Sequence, residues 1–167
     1  VVQRGVNDHE VERMAAHFRG TGHVLRFIEY MDVGTCNGWN PAQVVPSQEL
    51  RARIHARWPL QPLQAGYRGE VAQRFAFADG GGEVGFIGSV SHPFCGDCNR
   101  ARVSADGHLY TCLFADRGHD LKPALAGGEH GVAAELGRVW SAREDRYSEL
   151  RGQVPARRPI EMYLIGG

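Results

Sequence analysis

Cys95, Cys98 and Cys112 fall within the run CGDCNRARVSADGHLYTC. Three thiolates at that spacing can hold a metal centre that keeps one coordination position open for a fourth ligand or a substrate. Arg102-Val103-Ser104 and Leu109-Tyr110-Thr111 flank Ala105-Asp106-Gly107, and an Asp-Gly turn between such runs predicts a hairpin that returns Cys112 beside the first pair. Cys95-Gly96-Asp97-Cys98 reads as a tight loop relaxed by its glycine, in which two thiolates converge on one ion. A disulfide is the weaker reading, because a third cysteine leaves one thiol over and no signal peptide is visible. Structural zinc, with His92, His108 or His119 as fourth ligand, and an iron–sulfur cluster both satisfy the spacing. Arg100 and Arg102 follow Cys98 at a spacing of two, so an extended chain would carry both guanidiniums on one side, beside the metal. That fork suits phosphate. The bland alternative is a solvated charged strand.

These residues need elements to position them. The chain has 167 residues, with 19 basic and 19 acidic side chains, enough for a sizeable core. A formal charge of zero argues against nucleic acid as a partner, so any anion site must be local. No apolar run is long enough to span a membrane and no targeting segment is visible, which makes the cytoplasm the expected location. Residues 1–6 read as a short strand. A helix follows, with Asn7 and Glu10 at capping-box spacing, Val11, Met14, Ala15 and Phe18 at helical period, and Gly20 as the stop. Residues 24–31 read as a second strand, completing a strand–helix–strand unit of a parallel sheet or barrel. Its two charged members, Arg26 and Glu29, must reach a site or pair internally. The loop over 32–39 leaves the strand end where α/β folds place ligands, and its lone Cys36 has no assigned role. Residues 47–58 predict a helix ended by Pro59, and 59–69 a linker. Residues 71–78 and 83–90 predict a hairpin around Asp79-Gly80-Gly81-Gly82, which lacks the Lys-Ser/Thr ending of a phosphate loop. Helical patterns return over 121–126 and 132–143.

In order along the chain, RFIEYMDVG, NGW, GEVA, SVSHPFCGDCNRAR with its third cysteine in YTCLFA, DRYSELR and the terminal IGG resemble the C-terminal half of the GTP 3′,8-cyclase family. These are the radical-SAM enzymes that open molybdenum cofactor biosynthesis. The resemblance implies an α/β fold: residues 1–39 as the last units of an incomplete TIM-type radical-SAM barrel, and 40–167 as a hairpin-rich, cluster-binding, GTP-binding region with helices and a Gly-Gly tail. It implies that Cys95, Cys98 and Cys112 hold a [4Fe–4S] cluster with GTP at its free iron, which favours iron over zinc. It also places Arg100, Ala101 and Arg102 at the nucleotide, Arg26 at its phosphates, and Met31 against S-adenosylmethionine. Gly166 and Gly167 match a tail that reaches into the active site, where only glycine brings so little bulk.

The implied reaction converts GTP to (8S)-3′,8-cyclo-7,8-dihydroguanosine 5′-triphosphate. A 5′-deoxyadenosyl radical takes hydrogen from ribose C3′, and the C3′ radical attacks guanine C8. Cyclic pyranopterin monophosphate synthase is the implied downstream partner and a homodimer the implied full-length state, with no nucleic-acid or membrane partner. The family's N-terminal C-x-x-x-C-x-x-C, which binds a second [4Fe–4S] cluster and S-adenosylmethionine, is absent from this sequence. The expectation is therefore a fragment of a longer protein, inactive alone. A non-enzymatic zinc or iron–sulfur module, or another radical-SAM enzyme with an auxiliary cluster, are the competing readings.

Overall fold

A computed structural model of the chain describes residues 1–153 and 160–165. Its contacts divide it into two units, one of Val1–Met31 with Trp39–Cys98 and one of Asp32–Gly38 with Asn99–Gly167. Position 39, the expected end of the barrel segment, is where the chain re-enters the first unit.

The first unit is mixed α/β. Strands β1 (Leu25–Ile28), β2 (Leu60–Pro62), β3 (Gln73–Phe77) and β4 (Glu83–Ile87) form one sheet in the order β1-β4-β3-β2. β1 and β4 run parallel, with Arg26 opposite Gly85 and Phe27 opposite Phe86, and the other pairs are antiparallel. Val2 bridges Glu29 in parallel, so the strand–helix–strand reading of residues 1–31 holds, its first strand reduced to a bridge. Helices α1 (Val11–Phe18) and α2 (Ser47–Arg57) bring Val11, Ala15, Leu50 and Ile54 onto Phe27, Phe75, Val84 and Phe86, all buried in one cluster. Each of these valine, leucine, isoleucine and phenylalanine side chains contributes about 1.5–3 kcal/mol on burial.

Two local expectations are corrected. Asn7 and Glu10 do not form a capping box: a 3-10 turn, Asp8–Glu10, precedes α1. Asn7 instead accepts the Gln3 N–H at 2.8 Å and donates to the Val1 carbonyl at 3.0 Å, so its side chain is spent on the preceding turn. Part of the expected linker over 59–69 is β2, where buried Leu60 lies opposite Phe77. The hairpin over 71–90 stands, and Gly80 and Gly82 take the positive φ, +78° and +94°, that its turn requires.

In the second unit, β5 (Arg102–Val103) and β6 (His108–Tyr110) form the expected hairpin, closed at Gly107 with φ +81°. A third strand, β7 (His119–Asp120), pairs with β6 and was not signalled by sequence. A 3-10 stretch, Lys122–Gly127, leads into α3 (Gly128–Ser141), which packs Val139 on Leu109 and Leu121. Among the described residues no helix is long and apolar enough to cross a membrane.

Candidate functional site

Glu29 follows β1 and is wholly buried, yet its neighbours are not cations. One carboxylate oxygen accepts the Ser47 N–H and the Ser47 hydroxyl, both at 2.6 Å, together with the Ser91 hydroxyl. The other accepts the Val90 and Ser91 N–H groups, both at 2.8 Å. Burial pushes the carboxyl upward, but the donors from Ser47 and Ser91 outweigh it and hold the pKa below the ordinary carboxylate value. Of the two readings open for Glu29, reaching a site or pairing internally with Arg26, the pair is not formed: its bonds go to Ser47, Val90 and Ser91. Glu29 also supplies what the start of α2 lacks, since Pro46 at the N-cap makes no side-chain cap and a carboxylate at that end meets both the first N–H and the helix dipole. Gly88 permits this packing, because a Cβ there would lie 2.9 Å from Ser47 Oγ. Glu29 thus fixes the chain leaving β4, and that chain runs directly to Cys95.

Cys95 and Cys98 bound a 3-10 turn, Cys95–Asp97, in which the Cys98 N–H reaches the Cys95 carbonyl at 3.3 Å. Both are half-buried. Gly96 has no positive φ and nothing within 4 Å of an added Cβ, so the loop does not need its glycine as expected.

Cys112, in the second unit, is also half-buried and accepts the Phe114 N–H at 3.4 Å. The DRYSELR run holds this turn. Tyr147 stacks on Phe114 with centroids 4.6 Å apart, Asp145 accepts the Thr111 hydroxyl at 2.6 Å, and Arg151 lies 5.4 Å from the Phe114 ring centre. Arg151 also forks onto Asp32 at 2.9 and 3.1 Å, and Tyr147 donates to the same carboxylate at 2.7 Å. Burial and the Asp32 charge push the Tyr147 phenol up to about 12. Cys112 opens on a cavity of about 430 Å³ lined also by Arg117, Arg143 and Asp116.

β5 begins only at Arg102, which is half-buried and opposite Tyr110; half-buried Arg100 and exposed Ala101 precede it as irregular chain. The strand expected to align the two arginines therefore includes one of them. Arg26 is exposed on β1, its stem lying 3.1 Å from where a Cβ on Gly85 would sit. Met31 is half-buried in the first unit, and Cys36 is exposed. Gly166 and Gly167 lie outside the described residues. Of the histidines considered as fourth ligands, His108 engages Asp106 at 3.0 Å, and His92 and His119 are exposed. Cys95 and Cys98 belong to the first unit and Cys112 to the second. Among the described residues no three His, Cys, Asp or Glu side chains form a metal-binding group. Sequence reasoning missed the Asp32–Tyr147–Arg151 arrangement, although the DRYSELR run that carries it stood out.

The family model described as Molybdenum Cofactor Synthesis C matches residues 23–149, a span that includes Arg26, Cys95, Cys98, Arg100, Arg102 and Cys112. The chain belongs to that family. As a member of the Molybdenum Cofactor Synthesis C family, it is similar along its whole length to proteins named GTP 3′,8-cyclase. It is 71% identical to the one from Xanthomonas campestris pv. campestris (strain B100), 49% to that of Synechococcus sp. (strain CC9605) and 47% to that of Acidothermus cellulolyticus. The chain spans about half the length of these relatives, 50%, 48% and 54% respectively.

Proposed function

We propose that this chain is the C-terminal, substrate-holding half of a GTP 3′,8-cyclase, a radical-SAM lyase of molybdenum cofactor biosynthesis that converts GTP to (8S)-3′,8-cyclo-7,8-dihydroguanosine 5′-triphosphate. The observation that carries the reading is the 71% identity, over all of this chain, to a protein of that name. Cys95, Cys98 and Cys112 are the residues that would hold a [4Fe–4S] cluster. The donor chemistry suits it: three half-buried cysteine thiols, none in a disulfide, one of them already accepting a backbone N–H. When bound, such a cluster supplies a Lewis-acidic iron without a cysteine ligand, open to guanine.

The chain's own groups do the rest. Arg100 and Arg102 neutralise the triphosphate, small Ala101 between them lets the main chain approach it, and Arg26 adds a further cation. The C3′-to-C8 ring closure is intramolecular in GTP itself, and holding GTP in one pose selects the conformer in which the two carbons approach. Met31 faces S-adenosylmethionine, which binds with a second cluster in the other half of the whole protein. The parallel Val2–Glu29 bridge across a helix supports reading residues 1–39 as the last units of a radical-SAM barrel. Gly166 and Gly167 enter the active site. The whole protein is a cytoplasmic homodimer whose product passes to cyclic pyranopterin monophosphate synthase.

Arg100→Ala or Arg102→Ala is expected to weaken GTP binding about ten- to a hundredfold, the value of one charge-assisted contact to phosphate. Iron content should be unchanged. Equilibrium dialysis with GTP on anaerobically reconstituted protein checks this, and wild-type affinity in both variants would reject the phosphate role.

A further inference from the structure

The segment over 160–165 is fastened at three points within the second unit. The Ile160 N–H reaches the Ala115 carbonyl at 3.2 Å, and Ile165 is wholly buried. Between them, the Glu161 carboxylate accepts the Thr35 N–H at 2.6 Å and the Thr35 hydroxyl at 2.7 Å, and the Cys36 N–H and thiol bond it as well. Gly34 completes the cradle. Its φ is +69°, and a Cβ there would overlap the Glu161 carboxylate. Backbone N–H groups after a left-handed glycine form an anion-binding concavity, and here the anion is a side chain of the same protein. The turn Met162–Leu164 continues from Glu161, with the Leu164 N–H on the Glu161 carbonyl at 3.0 Å. Met162, Tyr163 and Leu164 are exposed, so apolar packing of that turn does not explain its position; the carboxylate and Ile165 do.

We propose that Glu161 is a positioning residue for the Gly166-Gly167 tail, and that the loop Gly34-Thr35-Cys36 is its built receptor. The inference rests on the reading above, in which that tail enters the active site. Glu161 touches no substrate; it fixes the point from which the chain continues to Gly166. The bonds from Thr35 and then Cys36 hold its carboxyl below the ordinary carboxylate value. The latch is therefore closed above that ordinary value and opens as pH falls through the lowered one.

Hydrogen exchange, corrected for intrinsic rates, is compared in wild type, Glu161→Gln and Gly34→Ala. In wild type the Thr35, Cys36, Leu164 and Ile165 amides are protected near neutral pH and lose protection on acidification. In both variants these four amides exchange at least tenfold faster at neutral pH, the acid step is absent in Glu161→Gln, and the β6 amides are unchanged. Equal protection in wild type and Glu161→Gln overturns the latch. In the whole enzyme, Glu161→Gln lowers kcat at unchanged KM for GTP and unchanged iron content, as does removal of Gly166 and Gly167. Full turnover in Glu161→Gln alongside loss on removing the two glycines overturns the positioning role. Full turnover without the glycines instead overturns the tail reading, while the exchange result still decides the latch.

Discussion

Glu29→Ala is expected to destabilise the first unit by about 4 kcal/mol, since it strips the acceptor from a buried site and strands three backbone N–H groups. Those groups belong to Ser47, Val90 and Ser91. Two serine hydroxyls at the same carboxylate can turn to other partners, but the amides cannot. Glu29→Gln should cost about half as much. Its best orientation sets the new NH₂ against the two hydroxyls and leaves only the Ser47 N–H opposed by a donor. Exchange protection of the Val84 and Phe86 amides, in the core of that unit, reads both values. A loss under about 1 kcal/mol in the alanine variant would show that Glu29 is not the hub. The pH dependence has a definite sign. The folded pKa lies below the ordinary value, so the carboxylate's contribution is fully present above that ordinary value and is lost as pH falls through the folded one. The acid limb of stability should be shallower in Glu29→Ala.

Arg151→Ala is expected to destabilise the second unit by about 3 kcal/mol. The Arg151 and Asp32 side chains are only 14% and 16% exposed, so removing the cation leaves a largely dry carboxylate still accepting from Tyr147 but stripped of its charge partner. Loss of the guanidinium also removes its contacts to the Phe114 and Tyr147 rings. Tyr147→Phe deletes one bond to a charged acceptor and should cost about 1.5–2 kcal/mol. Because both residues share Asp32, the double variant should lose less than the sum of the two. Exchange protection of the β6 amides through a urea series checks this. Strict additivity would show that Tyr147 and Arg151 do not act on one carboxylate.

The two hairpins were legible because their turns carry Asp-Gly chemistry. α2 was legible because Leu50 and Ile54 recur at helical period and Pro59 follows its end. β2 was not, since three residues have no period of their own and become a strand only by pairing with β3. The charge at Glu29 was recognised as anomalous, but its partners were not visible in the sequence. Positions 26 and 29 fall on opposite faces of an extended chain, and the true donors lie 18 and about 60 residues further on. The same distance hides the other fastenings. Arg151 reaches Asp32 across 119 residues and Glu161 reaches Thr35 across 126, and neither span leaves a spacing that a single sequence can display. The cysteines and arginines were legible as chemistry, through residue type and interval. Their supports were not, because those supports are isolated polar side chains whose meaning comes only from the fold.

The central claim is that Cys95, Cys98 and Cys112 carry a cluster that receives GTP. Anaerobic reconstitution with iron and sulfide, followed by electron paramagnetic resonance of the reduced protein with and without GTP, tests it most directly. The account requires a [4Fe–4S] signal that shifts when GTP is added. Uptake of zinc without iron, or a cluster signal indifferent to GTP, would contradict it.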